Sequence, residues 1–304
     1  MRLLAWFAAL LVSCLAVPAF AQSDPLPPVP VKPQMVTDID PALWVVRDAD
    51  TTVYMFGSIH LLRPGLSWFD DGVKAAFDTS DTLVTEIVDP EPAEIARIMA
   101  DLAFDKSGKT MRQKLPADEV PAYEAAAAKL GIDPAALDPL DGWAVALNLY
   151  MSGIIASGYD PNSGVEPQLK AAAAARKMPV IPLETMQAQL AIFDALPPEL
   201  QVTYVTETVK GMDQIAGQTD MLVDRWANAD PDGVASIMNE GFAQLNLVEP
   251  LLTRRNANWA HWINSRMKKP GTVFMAVGAG HLAGSVSVQQ LLTAYGLNAE
   301  RVAY

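Results

Sequence analysis

The chain is poor in the residues from which simple redox and metal sites are built. Of its 304 residues one is cysteine, Cys14, and three are histidine, His60, His261 and His281. Cys14 sits within an apolar N-terminal run, so removal of that run would leave no thiol. Disulfides, cysteine nucleophiles and thiolate metal sites are then excluded, which suits an oxidising compartment. Positive charge is also scarce, with 22 Lys and Arg against 35 Asp and Glu and a formal net charge of −13. Phosphate binding needs a basic face, so nucleic acid and anionic membrane are excluded as partners. Past the N-terminal run, no apolar stretch reaches the roughly 20 residues of a spanning helix, so no integral membrane segment is expected in the mature chain.

What is present begins with an address. Arg2 precedes the apolar residues 3–17, and Ala19-Phe20-Ala21 has the small-x-small pattern of a signal-peptidase site. A signal peptide over 1–21 with cleavage after Ala21 is expected, giving a periplasmic or secreted protein. Leu11-Val12-Ser13-Cys14 also resembles a lipoprotein box. The apolar core runs past it to Phe20, which favours conventional cleavage over an anchor on Cys14. Residues 22–42, with Pro25, Pro27, Pro28, Pro30 and Pro33, read as an extended linker.

From residue 43 to 304 the pattern is that of a single α/β domain. Strands are expected at Ala42–Val46, Thr52–Phe56 and Asp81–Ile87, the first two as a hairpin. A helical stretch follows over about 91–268, with apolar residues at three-and-four spacing in Glu91–Leu102, Ala117–Leu130, Gly142–Ser157 and Gly164–Ala175. Further helices are expected at Met186–Leu196, Pro198–Asn228 and Leu247–Lys268, with a short strand at Pro179–Leu183. The chain closes with strand Thr272–Val277, a glycine-rich turn, a helix and a last strand near Glu300. Strands at both ends and helices between predict one central sheet built from the two chain ends, with a large helical middle as cover or lid.

Two of the three histidines share one setting. Gly57-Ser58-Ile59-His60 and Gly278-Ala279-Gly280-His281 each close an apolar strand, and ligands in open α/β sheets sit outside the carboxyl ends of strands. The pair is expected to form one site. Glu86, late on the next strand in apolar surroundings, needs water, a cation or a metal as partner. Two imidazoles and a carboxylate suit a divalent ion with open positions that lowers the pKa of a bound water. Glu166, at a helix start after Asn162-Ser163-Gly164, is either a complement to the helix dipole or a second carboxylate of the site. Glu184 carries the same ambiguity. Arg255-Asn256 ahead of Trp259 could hold a carboxylate or polarise a carbonyl, or simply lie on a helix surface. His261 reads as structural. The second turn partly fits a dinucleotide fingerprint, but Tyr304 ends the chain with no room for the rest of a nucleotide-binding half.

Phe56-Gly57-Ser58-Ile59-His60, Thr85-Glu86-Ile87, Arg255-Asn256-x-x-Trp259 and Val277-Gly278-Ala279-Gly280-His281-Leu282-Ala283-Gly284 together resemble the TraB/GumN family, which includes the Tiki proteases acting on Wnt ligands. The resemblance runs from about Trp44 to Tyr304 and is sharpest at the two ends. It implies a fold similar to erythromycin esterase and the haem-binding ChaN proteins. For the Tiki branch it implies metalloprotease activity with Mn²⁺ or Co²⁺. Carried over, His60, Glu86, His281, Arg255 and Asn256 would be catalytic, and His60, Glu86 and His281, assisted by Glu166, would hold the metal. Arg254 departs from the family pattern, which often has an acidic residue there, and the Tiki membrane anchor is absent.

The leading expectation is therefore an exported metal-dependent hydrolase of the peptidase type, acting on a peptide, protein or small acyl substrate. The alternatives are a metal-independent, esterase-like hydrolase with a histidine base oriented by Glu86, and a haem or ligand-binding protein without catalysis.

Overall fold

The computed structural model describes residues 37–244 and 247–304. The expected signal peptide, Cys14, the cut after Ala21 and most of the proline-rich linker lie outside the described residues. The strands are β1 (Thr37–Asp38), β2 (Leu43–Arg47), β3 (Thr51–Ser58), β4 (Leu66–Ser67), β5 (Thr82–Thr85), β6 (Val180–Pro182), β7 (Gly271–Gly278) and β8 (Glu300–Arg301). Six of them form one mixed sheet in the order β6-β5-β7-β3-β2-β8. As expected, strands from both chain ends build it, and the middle of the chain is helical.

β3 (TTVYMFGS) and β7 (GTVFMAVG) share a pattern of β-branched, aromatic and Met residues, with a glycine one residue before the end of β3 and at the end of β7. They pair in parallel, with Val53 opposite Val273, Met55 opposite Met275 and Ser58 opposite Gly278. Side chains alternate between faces along a strand. Val53, Met55, Val273, Met275 and Val277 thus share one face and pack with Trp259, Ala260 and Ile263 of the helix Arg254–Arg266. Phe56, Phe274 and Ala276 pack on the other face with Trp68, Phe77 and Trp226. Both faces are covered, as parallel strands require. Each large apolar side chain buried here contributes roughly 1.5–3 kcal/mol. A one-residue slip would exchange the faces, so the register is firmly set.

That register carries the site. β3, β5 and β7 run parallel and end at the same edge, with Thr85 opposite Ala276 and Ser58 opposite Gly278. β5 stops one residue before Glu86. The Glu86 carbonyl instead accepts from the backbone N–H groups of Leu183 and Glu184, so the strand expected to reach Ile87 turns out of the sheet at the residue that matters.

Elsewhere the helical expectations need adjustment. The single helix expected from Pro198 to Asn228 is broken into Pro198–Gly211, a 3-10 turn Met212–Gln214, and Ile215–Ala227. Gly211, a poor helix former, stands at the break. The helix Pro231–Gln244 has no counterpart among the expected elements. Its local signal is Asp230, whose carboxylate accepts from the Gly233 N–H just ahead of Pro231 in the first turn. The expected helix Leu247–Lys268 is π-helical over Glu249–Thr253 before continuing as Arg254–Arg266.

Candidate active site

The two glycine-histidine turns meet. The first follows β3, and the second follows β7 as a short 3-10 helix, Ala279–Leu282. Gly57 is needed for this approach, because a Cβ there would lie 3.0 Å from the Ala279 Cα. Its carbonyl accepts from Trp226 Nε1 at 2.7 Å, which ties the turn to the helical middle. His60, Glu86, Glu166, Arg255, Asn256 and His281 are all buried, none more than 5% exposed. Ser58, whose hydroxyl donates to Glu166, pairs with Gly278, whose N–H donates to Glu86. The expected residues therefore gather in one place.

They gather as two linked groups. The first is His60 with Glu166. His60 Nδ1 stands 2.7 Å from Glu166 Oε1, and Ser58 Oγ donates to the same oxygen at 2.5 Å. Glu166 reaches this position because the segment ahead of its helix closes on the first turn. The Val165 N–H donates to the Ile59 carbonyl at 3.0 Å, and Gly164 lies so near the His60 carbonyl that any Cβ would collide with it. Burial by itself would raise the Glu166 carboxyl, but His60 and the Ser58 hydroxyl outweigh it and hold the group below the ordinary carboxylate range. Glu166 thus stands in the first turn of its helix and faces His60 from there.

The second group surrounds the Arg255 guanidinium. Nη2 donates to Glu86 Oε2 at 2.6 Å. Nε faces both oxygens of Glu184 at 3.1 and 2.9 Å. Nη1 donates to the Leu251 carbonyl and to His281 Nε2, each at 3.0 Å. The Glu86 carboxylate also accepts from Gln189 Nε2 at 3.0 Å and, on its other oxygen, from the Gly278 N–H at 2.7 Å. Burial opposes its ionisation, but Arg255 above all, with His281, His60 and that N–H, lowers it below the ordinary carboxylate value. Trp259 Nε1 donates to Glu184 at 3.0 Å, while its ring lies 4.8 Å from the guanidinium carbon and 4.3 Å from the His281 ring.

His281 is neutral here. Burial first, then the neighbouring guanidinium, push it down to about 3. Its Nδ1 is 2.5 Å from Asn256 Oδ1, and Asn256 Nδ2 donates to the Val286 carbonyl at 2.7 Å. The amide orientation puts the ring proton on Nδ1 and leaves Nε2 as the acceptor for Arg255.

This arrangement does not fit the Mn²⁺ or Co²⁺ expected from the resemblance. Both nitrogens of His281 and both oxygens of Glu86 are engaged by protein donors or acceptors, and a divalent ion would have to displace a guanidinium already neutralising the same carboxylate. Glu166 Oε2 is buried without a hydrogen-bond partner, but even with His60 Nε2 counted beside it the donors fall short of the three protein donors of such a site. Among the described residues no group of three or more His, Cys, Asp or Glu side chains is placed to hold a metal ion. Arg255 and Asn256, expected to position substrate, use their polar groups within the protein. The second turn spends its Gly278 N–H on Glu86 rather than on a phosphate. His261 is exposed, with its ring 6.3 Å from Tyr295.

Ser58 and Gln189 belong to the site without having been assigned to it, and Glu184, left open between the helix dipole and the site, faces Arg255. Ser58 was visible inside the first motif. Gln189 had a signal too, since it interrupts the apolar face Met186, Leu190, Phe193 of its helix, where an unpaired amide would be costly.

Comparison with known proteins bears on the family of the chain. The Escherichia coli (strain K12) protein YbaP, named as uncharacterized, is 23% identical over 252 residues, covering 83% of this chain and 92% of that protein. An uncharacterized protein of Treponema pallidum (strain Nichols) is 21% identical over 278 residues, covering 86% of this chain and 82% of its own length. No solved structure matches. The model of the TraB/PrgY/gumN family matches residues 42–301, a span that takes in both glycine-histidine turns, Glu86, Glu166 and Arg255-Asn256, and the chain belongs to that family.

Proposed function

We propose that the chain is a hydrolase of acyl bonds, peptide or ester, in which His60 is the general base and Glu166 its orienting carboxylate. The observation that carries this reading is the 2.7 Å contact of His60 Nδ1 with a buried, ionised carboxylate. A carboxylate on Nδ1 fixes the proton there, places the basic lone pair on Nε2 and stabilises the imidazolium formed when Nε2 takes a proton. In the proposed reaction Nε2 removes a proton from water as its oxygen attacks the carbonyl carbon. The tetrahedral intermediate then expels the amine or alcohol, which receives that proton from the imidazolium. Glu86, Arg255, Glu184 and His281 form the hydrogen-bonded wall behind this pair, two carboxylates sharing one guanidinium beside a neutral imidazole. Preference for a peptide bond is supported by the resemblance to the Tiki branch. Residues 1–21, read as an export signal, would put the work in the periplasm or outside the cell.

Because the site groups are buried, a substrate reaches them only when part of the helical cover moves. Met238 of the helix Pro231–Gln244 packs directly on Gly280 of the second turn.

The test uses purified chain, a fluorogenic peptide library and a panel of activated acyl esters, with and without a strong chelator. Chelator-resistant turnover that falls in His60→Gln and Glu166→Gln supports the reading. Turnover that appears only with Mn²⁺ or Co²⁺ would replace it with the metal-dependent one, and haem binding with no turnover on any substrate would favour a ligand-binding protein.

A further inference from the structure

We propose that Arg63 and Asp220 form a positioning clasp for His60, an inference that rests on the reading of His60 as the base. Arg63 follows His60 by three residues in the same loop. Its Nε and Nη2 donate to Asp220 Oδ1 and Oδ2 at 3.0 and 3.2 Å, a two-pronged contact with the helix Ile215–Ala227. Nη1 donates to the Ser157 carbonyl at 2.7 Å. The guanidinium carbon stands 4.5 Å over the Tyr159 ring, and the Tyr159 hydroxyl donates to Asp220 Oδ1 at 2.7 Å. Gly158 makes room for this packing, with φ of +95° and a Cα whose Cβ would press on Arg63 Nη1.

The clasp lies at the outer end of a longer seam. The His60 loop and the segment leading to Glu166 are joined by the Asp160 N–H on the Leu62 carbonyl and the Val165 N–H on the Ile59 carbonyl, each at 3.0 Å. At the inner end His60 meets Glu166. Two backbone bonds hold the loop along a line, and rotation about that line would swing the imidazole. Arg63, fixed to a separate helix and to the turn at Ser157, removes that freedom. The planar fork is what makes the contact directional, so lysine is not equivalent. Its side chain and that of Asp220 are 42% and 50% exposed. A pair so exposed contributes little to global stability, which separates a positioning role from a structural one.

The experiment is a ring-proton NMR spectrum of the full chain with isotope-labelled histidine. The chain has three histidines, so single His→Gln variants assign every signal. The expected result is that Arg63→Met and Asp220→Asn each shift or broaden the His60 signal and leave His261 and His281 in place, while the double variant adds nothing further. Both single variants should melt within a few degrees of the parent. Where hydrolysis is measured, Arg63→Met should lower kcat about 10- to 100-fold at unchanged KM. A His60 signal coincident with the parent in both variants would overturn the clasp. Hydrolysis surviving His60→Gln would instead remove the base reading, and the spectrum would still decide whether the clasp orients the ring.

Discussion

Asn256 dictates which nitrogen of His281 carries the proton. Its oxygen stands 2.5 Å from Nδ1 because its nitrogen is committed to the Val286 carbonyl. His281 is thereby a neutral acceptor for Arg255, and of the two matched histidines only His60 is left with a carboxylate partner suited to base catalysis.

Acid stability should report this state. The folded pKa of His281 is depressed from 6.5 to about 3. Its contribution to stability is therefore complete above pH 6.5 and is lost progressively as pH falls toward 3. The lowered Glu86 and Glu166 groups add a further loss below their ordinary values near 4.5. Urea unfolding followed by circular dichroism should show stability declining already between pH 6.5 and 5, with a slope of up to about 1.4 kcal/mol per pH unit from this one group. His281→Gln should flatten that interval. A flat parent curve above pH 5 would refute the neutral assignment.

Removing the guanidinium should cost more than removing one of its carboxylates. Arg255→Met leaves Glu86 and Glu184 without the cation they share, and loss of one partner from a buried pair typically costs about 3–5 kcal/mol. Adding Glu86→Gln to Arg255→Met should recover part of that loss. Equal stability of the Arg255→Met protein and the parent in urea would show that the carboxylates do not depend on Arg255.

Two glycines should respond in opposite ways. Gly164→Ala forces a Cβ onto the His60 carbonyl, and overpacking of this kind costs about 1–3 kcal/mol. Gly217, in the helix Ile215–Ala227, has nothing within 4 Å of an added Cβ. Gly217→Ala should stabilise by about 0.5–1 kcal/mol. Thermal melts of both variants check the contrast.

Mn²⁺ or Co²⁺ should leave the melting temperature unchanged. An ion at 100 times its dissociation constant stabilises the folded state by about 2.7 kcal/mol, easily visible in calorimetry. A rise that disappears in both His60→Ala and His281→Ala would reinstate the metal centre expected from the sequence.

Much of this site was legible in the sequence because the chain has so few histidines and places two after similar strands. The shared plan of an apolar strand closing on a glycine-histidine turn at each chain end pointed to the two turns as a pair, and Glu86 followed from a carboxylate in apolar sequence. What could not be read was the pairing within the cluster. Glu166 and Glu184 are both acidic residues at element boundaries, and their spacing does not say that one faces His60 and the other Arg255. That choice is made by Gly164 against the His60 carbonyl and by the backbone turn at Glu86, which are tertiary contacts. The break at Gly211 and the π-helical stretch before Arg255 were hidden for a related reason, since apolar periodicity continues through both.

The most direct test is the pH-dependent, chelator-treated hydrolysis of the acyl substrate panel by the parent, His60→Gln and Glu166→Gln. The expected result is turnover in the parent that persists in chelator and falls about 100-fold or more in His60→Gln, with a smaller loss in Glu166→Gln. Parent turnover that vanishes in chelator and returns with Mn²⁺ or Co²⁺, or turnover that survives His60→Gln, would contradict it.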